Sequence, residues 1–243
     1  METIQGKILR GIYGLPKSTP YWGMMYELDI LPISLQLTYM KLMLYHALIN
    51  SDEHRIARSI VMQQEILQHE KCWYGNLKME AETVGIELNR EELEGLTKST
   101  WKRTVKEKIR RTFEEQFEAK RKDMAKLRFL EISASKTYMK ELFNEEARMA
   151  LIIRLNMFES FTHNYGYQKK CSLCEEDEDT TEHAFKCTYR NNKEVTVTHL
   201  KKGERMADIV KMCKDLENQR KDAMINNIIT NFHVIFREEW EEQ

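Results

Sequence analysis

Apolar residues recur at three- and four-residue intervals along most of the chain, the spacing that lays one face of an α-helix against a core. In METIQGKILRGIYG this period falls on Ile4, Ile8, Leu9 and Ile12, with Gly11 or Gly14 placed to end the helix. LPKSTPYWG breaks the pattern: its prolines and the Ser18–Thr19 pair suit a loop and a cap, and Pro20 suits a first helical position. YWGMMYELDI predicts a short helix and LPIS a turn. From Ser34 to Ile49 the apolar positions Leu35, Leu37, Leu42, Leu44, Leu48 and Ile49 are dense enough to predict a buried helix.

Asn50-Ser51-Asp52 forms a polar junction, and a further helix is predicted to about Glu70. The next stretch, KCWYGNLKMEAETVGIELNREELEGL, is more broken, with Gly75 and Gly85 as predicted stops; Asn89 followed by Glu92 fits a capping box. A long charged helix is predicted from about Thr100 to Phe129, with Trp101, Val105, Ile109, Phe113 and Phe117 as its i, i+4 stripe. EISASK interrupts, and Asn144 is predicted to cap EEARMALIIRLNMF. A last helix is predicted from GERMADIVKMCKDLENQ onward to Trp240. Only residues 165–183 read as a compact non-helical insert.

The expected architecture is therefore all-α, a helical bundle or array with one small insert near the C-terminus. Its expected segments are a helical region at 1–70, a second at 71–164 holding the charged helix at about 100–129, the insert at 165–190 and a helical tail at 191–243. Composition strengthens this picture, since nine glycines and three prolines are few for 243 residues. A formal net charge of −1 gives the molecule no large basic field. No apolar run approaches the ~20 residues of a membrane span, and the N-terminus lacks the apolar stretch of a signal peptide. The expectation is an intracellular chain, nuclear or cytoplasmic, off the membrane, with its cysteines reduced and available to a metal.

Three of the five cysteines lie in CSLCEEDEDTTEHAFKC, with the spacing C-x2-C-x8-H-x3-C. Two cysteines separated by two residues can share a tight turn and reach one ion at ~2.3 Å per Zn–S bond. His183 and Cys187 are i, i+4, so one helical turn puts both on one face. Asp179 and Glu182 suit a capping box that starts that turn. The predicted ligand set is Cys171, Cys174, His183 and Cys187 around zinc, closed at four ligands and so structural rather than catalytic. The bland reading is a chance cluster in an acidic loop, for which three reduced cysteines have no evident use. Cys72 and Cys213 read as ordinary thiols, with Cys213 a spare candidate ligand.

At this point two stretches resemble a known family. IQGKILRGIYGLPKSTPYWGMMYELDILPI is similar to the segment that follows the polymerase core in non-LTR retrotransposon reverse transcriptases: a helix, a "GLP-K/R-STP" loop, then an aromatic or aliphatic helix ending in an "E-L-x-I/W-x-P" turn. EEARMALIIRLNMFESFTHNYGYQKKCSLCEEDEDTTEHAFKC resembles the same family's C-terminal zinc knuckle, and the two occur in the family's order. The polymerase's Y-x-D-D is absent, and no Pro-Asp pair follows Cys187, as the family's nuclease would require. The resemblance implies a C-terminal piece of a retroelement protein without the paired aspartates of two-metal nucleotidyl transfer, hence not an enzyme. A truncated copy, a separate reading frame and a domesticated remnant are the forms such a piece takes. The partners it implies are RNA, DNA or both, and the polymerase part of a retroelement protein.

Residues 98–128 hold twelve Lys or Arg against five acids. Lys102, Arg103, Lys106, Arg110 and Arg111 on the polar side of that helix suit a run along phosphates. The alternative is the solvated face of an amphipathic helix. Lys17, with Ser18 and Arg10, suits a phosphate contact at the GLPKSTP loop, against the simpler reading of a rigid linker. Tyr21, Trp22 and Tyr26 suit base stacking, against the commoner role of aromatics as core. The leading expectation is a zinc-stabilised nucleic-acid-binding module, and the runner-up a protein-interaction or scaffold module, favoured by the acidic CEEDEDTTE and FREEWEEQ. A catalytic role would need polymerase segments supplied from outside these residues.

Overall fold

The computed structural model describes the chain except residues 68, 133, 143, 159–169, 172, 179, 191–192 and 242–243, and except the side chains of 144, 224 and 226–241. The fold is all-α. Its helices in chain order are α1 (Glu2–Ile12), α2 (Tyr21–Glu27), α3 (Ile33–Ile49), α4 (Ile56–Leu67), α5 (Trp73–Thr83) and α6 (Arg90–Glu94). They continue with α7 (Lys98–Asp123), α8 (Tyr138–Glu141), α9 (Asn144–Arg154), α10 (Thr181–Ala184), α11 (Val197–Lys202) and α12 (Met206–Glu241). None of the helices is long and apolar enough to cross a membrane, among the described residues. Two compact units divide the chain: Met1–Ile8 with Asp29–Lys120, and Leu9–Leu28 with Arg121–Gln243.

In the first unit α3 lies against α4, α5 and α6. Its buried positions, Leu35, Thr38, Leu42, Tyr45, His46 and Ile49, follow the helical period. The expected burial holds for one face only: Met40 and Leu44, on the other, are 58% and 49% exposed. The stripe of α7 is buried as its spacing requires, from Trp101 to Phe117. Trp101 Nε1 donates to the Leu42 carbonyl at 3.1 Å and its ring stacks on His46 at 6.0 Å. α7 stops at Asp123 rather than near Phe129. Extended Met124 and a 3-10 turn at Ala125–Leu127 break the i, i+4 stripe and let Leu127, Phe129 and Leu130 bury.

Two predicted glycine stops resolve differently. Gly85, at φ +66°, ends α5, and Ile86 N–H reaches back to the Ala81 carbonyl at 2.9 Å. Gly75 is inside the first turn of α5 instead, where an added Cβ would lie 2.4 Å from the His69 carbonyl oxygen. Its hydrogen is needed for clearance, not for a turn. At Asn89 the cap is present in altered form: its side chain accepts from Glu91 N–H at 3.2 Å and donates to Glu92 at 2.9 Å.

In the second unit α1 ends at Gly14, whose φ is +58°, with Leu15 N–H on the Arg10 carbonyl at 2.8 Å. Pro20 occupies the cap one residue before α2 rather than its first helical position. α9 and α11 both pack on α12. A charged network is buried here: Arg154 lies 0% exposed, Glu27 1% and Tyr138 2%. Arg154 Nε and Nη2 donate to Glu27 Oε2 and Oε1 at 2.8 and 2.9 Å, a two-pronged pair, and the Tyr138 hydroxyl donates to Oε2. Arg154 Nη1 donates to the carbonyls of Leu200 and Lys201, where the end of α11 carries partial negative charge.

α11 closes at Gly203, at φ +69°. An added Cβ there would lie 2.1 Å from the Ser135 carbonyl oxygen. Gly203→Ala is expected to cost about 1–3 kcal/mol, from the left-handed backbone and the clash together, read as a lowered urea midpoint. A loss under about 0.5 kcal/mol would mean that the Ser135 strand of chain gives way freely.

Candidate metal centre

Within the second unit, the segment after Lys170 folds as a narrow loop, closed by an antiparallel bridge between Lys170 and Glu178. Cys171 N–H donates to the Asp177 carbonyl and Glu175 N–H to the Cys171 carbonyl, both at 2.9 Å. Glu175 takes a left-handed conformation, φ +57°, to complete the turn. This turn brings Cys171 and Cys174 to the same side. Thr180 then caps α10, its hydroxyl accepting from His183 N–H at 3.1 Å. The expected box from Asp179 to Glu182 falls partly on Asp179, which is outside the described residues; Glu182 lies 3.4 Å from Arg128 instead. Cys187 N–H bonds the His183 carbonyl at 2.7 Å, so the helical turn carries Cys187 round to the face of His183. Residues 165–169 of the expected insert are likewise outside the described residues.

The outcome is one cluster: the ligand atoms of Cys171, Cys174, His183 and Cys187 all lie within 4.8 Å of one another. A tetrahedral ion with bonds of ~2.3 Å sets its sulfurs about 3.8 Å apart. Cys174 Sγ to His183 Nε2 is 3.3 Å, close to an edge of that figure. These four side chains can therefore hold a metal ion, and they are well enclosed: Cys171 is 0%, Cys187 2% and His183 5% exposed. The other His183 nitrogen, Nδ1, is buried without a hydrogen bond and lies 3.5 Å from Asp177 Oδ2. An outer carboxylate beside a ligating imidazole orients the ring and fixes its tautomer.

The thiols differ sharply. Burial pushes Cys171 up, but the backbone amides of Cys174 and Leu173, the Arg220 cation and His183 outweigh it and leave it at about 7. Burial, together with the neighbouring Cys171 and Cys174, pushes Cys187 up to about 12 despite the Tyr189 amide. Arg220 is 1% exposed and donates Nη2 to Cys171 Sγ at 3.7 Å. It escaped the sequence reading, although a signal was there. Met206, Ile209, Cys213, Leu216 and Arg220 share one helical phase, so the arginine sits in an apolar register.

Cys213 lies outside the cluster, in the packing of α12, and burial pushes its thiol up to about 12. The unfolded chain loses that proton near the ordinary value of 9.0, so between there and 12 the folded state binds more protons and stability falls as pH rises. Three pH units correspond to at most about 4 kcal/mol. Cys213→Ala is expected to flatten the alkaline fall of the urea midpoint relative to the parent chain. Parallel curves from pH 8 to 11 would remove the thiol as the cause.

The expected nucleic-acid contacts separate into two groups. Lys102, Arg103 and Lys106 are exposed on α7 without an ion-pair partner among the described residues. Arg111 pairs with Glu115 at 2.9 Å, and Arg110 with Glu114 at 2.9 Å and with Asp29, so both are partly neutralised. Lys17 is exposed on its loop, whereas Arg10 is engaged, donating Nη2 to the Thr19 carbonyl at 2.7 Å and holding that loop to α1. Tyr26 is 1% exposed, with its hydroxyl on the Ile132 carbonyl at 2.6 Å, and is core rather than a stacking platform. Tyr21 and Trp22 are half-buried and meet edge to face at 6.0 Å. Compared with protein-family models, with curated proteins and with solved structures, the chain matches none.

Proposed function

We propose that the chain is a zinc-stabilised, non-catalytic, nucleic-acid-binding module from the C-terminal region of a non-LTR retrotransposon reverse transcriptase. The observation that carries the reading is the convergence of Cys171, Cys174, His183 and Cys187, in the order and spacing of that family's knuckle. Zinc is the metal we assign, because a closed set of three thiolates and an imidazole suits a tetrahedral ion without redox chemistry. The four ligands leave no open position, so the metal holds structure and performs no reaction. Binding to RNA or DNA falls to exposed cations, of which Lys102, Arg103 and Lys106 lie within one turn on the exposed side of α7 and Lys17 stands on a loop of the other unit.

The test is binding of the metal-loaded chain to structured RNA and to duplex DNA across a salt series. Micromolar or tighter affinity that falls as salt rises is the expected result. Replacing Lys102, Arg103 and Lys106 together by alanine is expected to reduce the salt slope by about two to three, as three phosphate contacts are lost. Absence of binding at low salt would end the nucleic-acid reading. Arg110→Ala, by contrast, is expected to weaken binding less, because that guanidinium already holds acidic partners.

One observation favours a second reading, a protein-interaction module. Ile4 and Ile8 of the first unit are 62% and 56% exposed, one turn apart on α1. An apolar pair left open on a helix is a contact surface in many assemblies. Light scattering over a concentration series separates the readings, since a strictly monomeric chain with tight RNA binding leaves the second with no support.

A further inference from the structure

Every other residue in the buried phase of α12 up to Leu216 is apolar or a thiol: Met206, Ile209, Val210, Met212, Cys213 and Leu216. Arg220 continues that phase and is 1% exposed. A guanidinium cannot shed its charge in a protein, and taking it out of water is costly unless negative charge meets it. Its Nη2 donates to Cys171 Sγ at 3.7 Å, and its central carbon stands 6.0 Å from the Phe158 ring centroid. On the other side of the balance, three thiolates and a neutral imidazole around a divalent ion leave one net negative charge. Cys171 and Cys187 place that charge in the apolar core of the unit. Asp177, near His183, adds to it but is 67% exposed and so largely screened by water.

We propose that Arg220 is the counter-cation of the metal centre, tightening metal binding by neutralising it and tying α12 to the cysteine turn through the Cys171 sulfur. The proposal rests on the reading of the four residues as a metal site. It assigns Arg220 a positioning role, since the arginine touches a ligand and not the ion. Outer-shell partners of metal ligands change affinity by 10–100-fold in general, and this one also carries the compensating charge.

The test uses the full chain, with Arg220→Gln, which can still donate a hydrogen bond but has no charge, and Arg220→Lys, which keeps the charge. Zinc affinity is measured at fixed pH by competition with a chromophoric chelator, and cobalt(II) is loaded in parallel to follow the thiolate-to-metal charge-transfer band. Arg220→Gln is expected to keep one metal per chain, to lose affinity tenfold or more, and to shift the band to longer wavelength as the sulfur becomes more electron-rich. Arg220→Lys is expected to stay within about threefold of the parent chain. A loss of less than tenfold in the Gln variant, or an unmoved band, overturns the proposal. Should the Gln variant not fold, the Lys variant decides alone, and a loss beyond threefold overturns the charge account. A parent chain that takes up neither metal fails the metal site itself, which is a different result from a parent chain that binds and a Gln variant that binds equally well.

Discussion

Chelation of the zinc-loaded chain is expected to lower its thermal midpoint by about 20 °C or more. Structural zinc contributes on the order of 10 kcal/mol in small finger peptides, comparable to the whole stability of a domain. In chains of 150–250 residues each kcal/mol moves the midpoint by about 2–4 °C. The effect is expected to be large here because Cys171, Cys187, Ala184 and Phe185 belong to the same apolar cluster as Val210 and Leu216 of α12. Losing the ion therefore loosens more than a surface loop: the cysteine turn and α10 lose the cross-link that holds them in that core. Cys174→Ser and His183→Ala are expected to behave as chelation does, with lowered zinc content. Unchanged zinc stoichiometry in both variants would refute the ligand assignment, and a melt indifferent to chelator would remove the metal from the stability of the fold.

The second large effect is expected at Arg154. Arg154→Leu strands the Glu27 carboxylate at 1% exposure and strips the end of α11 of its donor. Breaking one side of a buried ion pair costs about 3–5 kcal/mol, because the remaining charge keeps its desolvation penalty without its partner. Glu27→Leu is expected to cost a similar amount. The double variant is expected to cost clearly less than the sum, since replacing both charges by apolar groups removes the stranded ion. Recovery should stay incomplete, because in the double variant the Leu200 and Lys201 carbonyls have lost Arg154 and the Tyr138 hydroxyl has lost Glu27. Urea denaturation of the four chains settles it. A single-variant cost below about 1 kcal/mol, or simple additivity, would show that the pair is not coupled in solution.

How much of this was legible in the sequence depends on whether a local rule or a distant partner sets the structure. The stripe of α7 was legible because each of its residues needs only the helical period to reach the core. The four cysteine and histidine positions were legible because a turn and an i, i+4 pair fix them locally, whatever the rest of the chain does. The end of α7 was not, since Leu127, Phe129 and Leu130 leave the period to find burial elsewhere. Gly75 was misread because its reason lies in the approach of the His69 carbonyl, which no nearby residue announces. Glu27 and Arg154 are 127 residues apart, and nothing in either segment names the other. Both arginines that matter most, Arg154 and Arg220, stand where the helical period asks for an apolar side chain. That misfit was the available clue, and a charged residue in an apolar register is worth a search for its partner.

The layout of the two units bears on the order in which the chain assembles during synthesis. Residues 29–120 form the bulk of the first unit and are contiguous, whereas the second is built from Leu9–Leu28 and Arg121–Gln243. The first unit can complete most of its contacts as soon as α7 has emerged from the ribosome. α2 cannot, because its Glu27 must wait for Arg154 and, through it, for the carbonyls of α11. Until then Met24, Met25 and Tyr26, fully buried in the finished fold, have no core to enter. The nascent chain thus carries a short sticky helix just ahead of the intervening unit throughout that unit's synthesis, which is the interval when such chains are most open to mispairing and to chaperones.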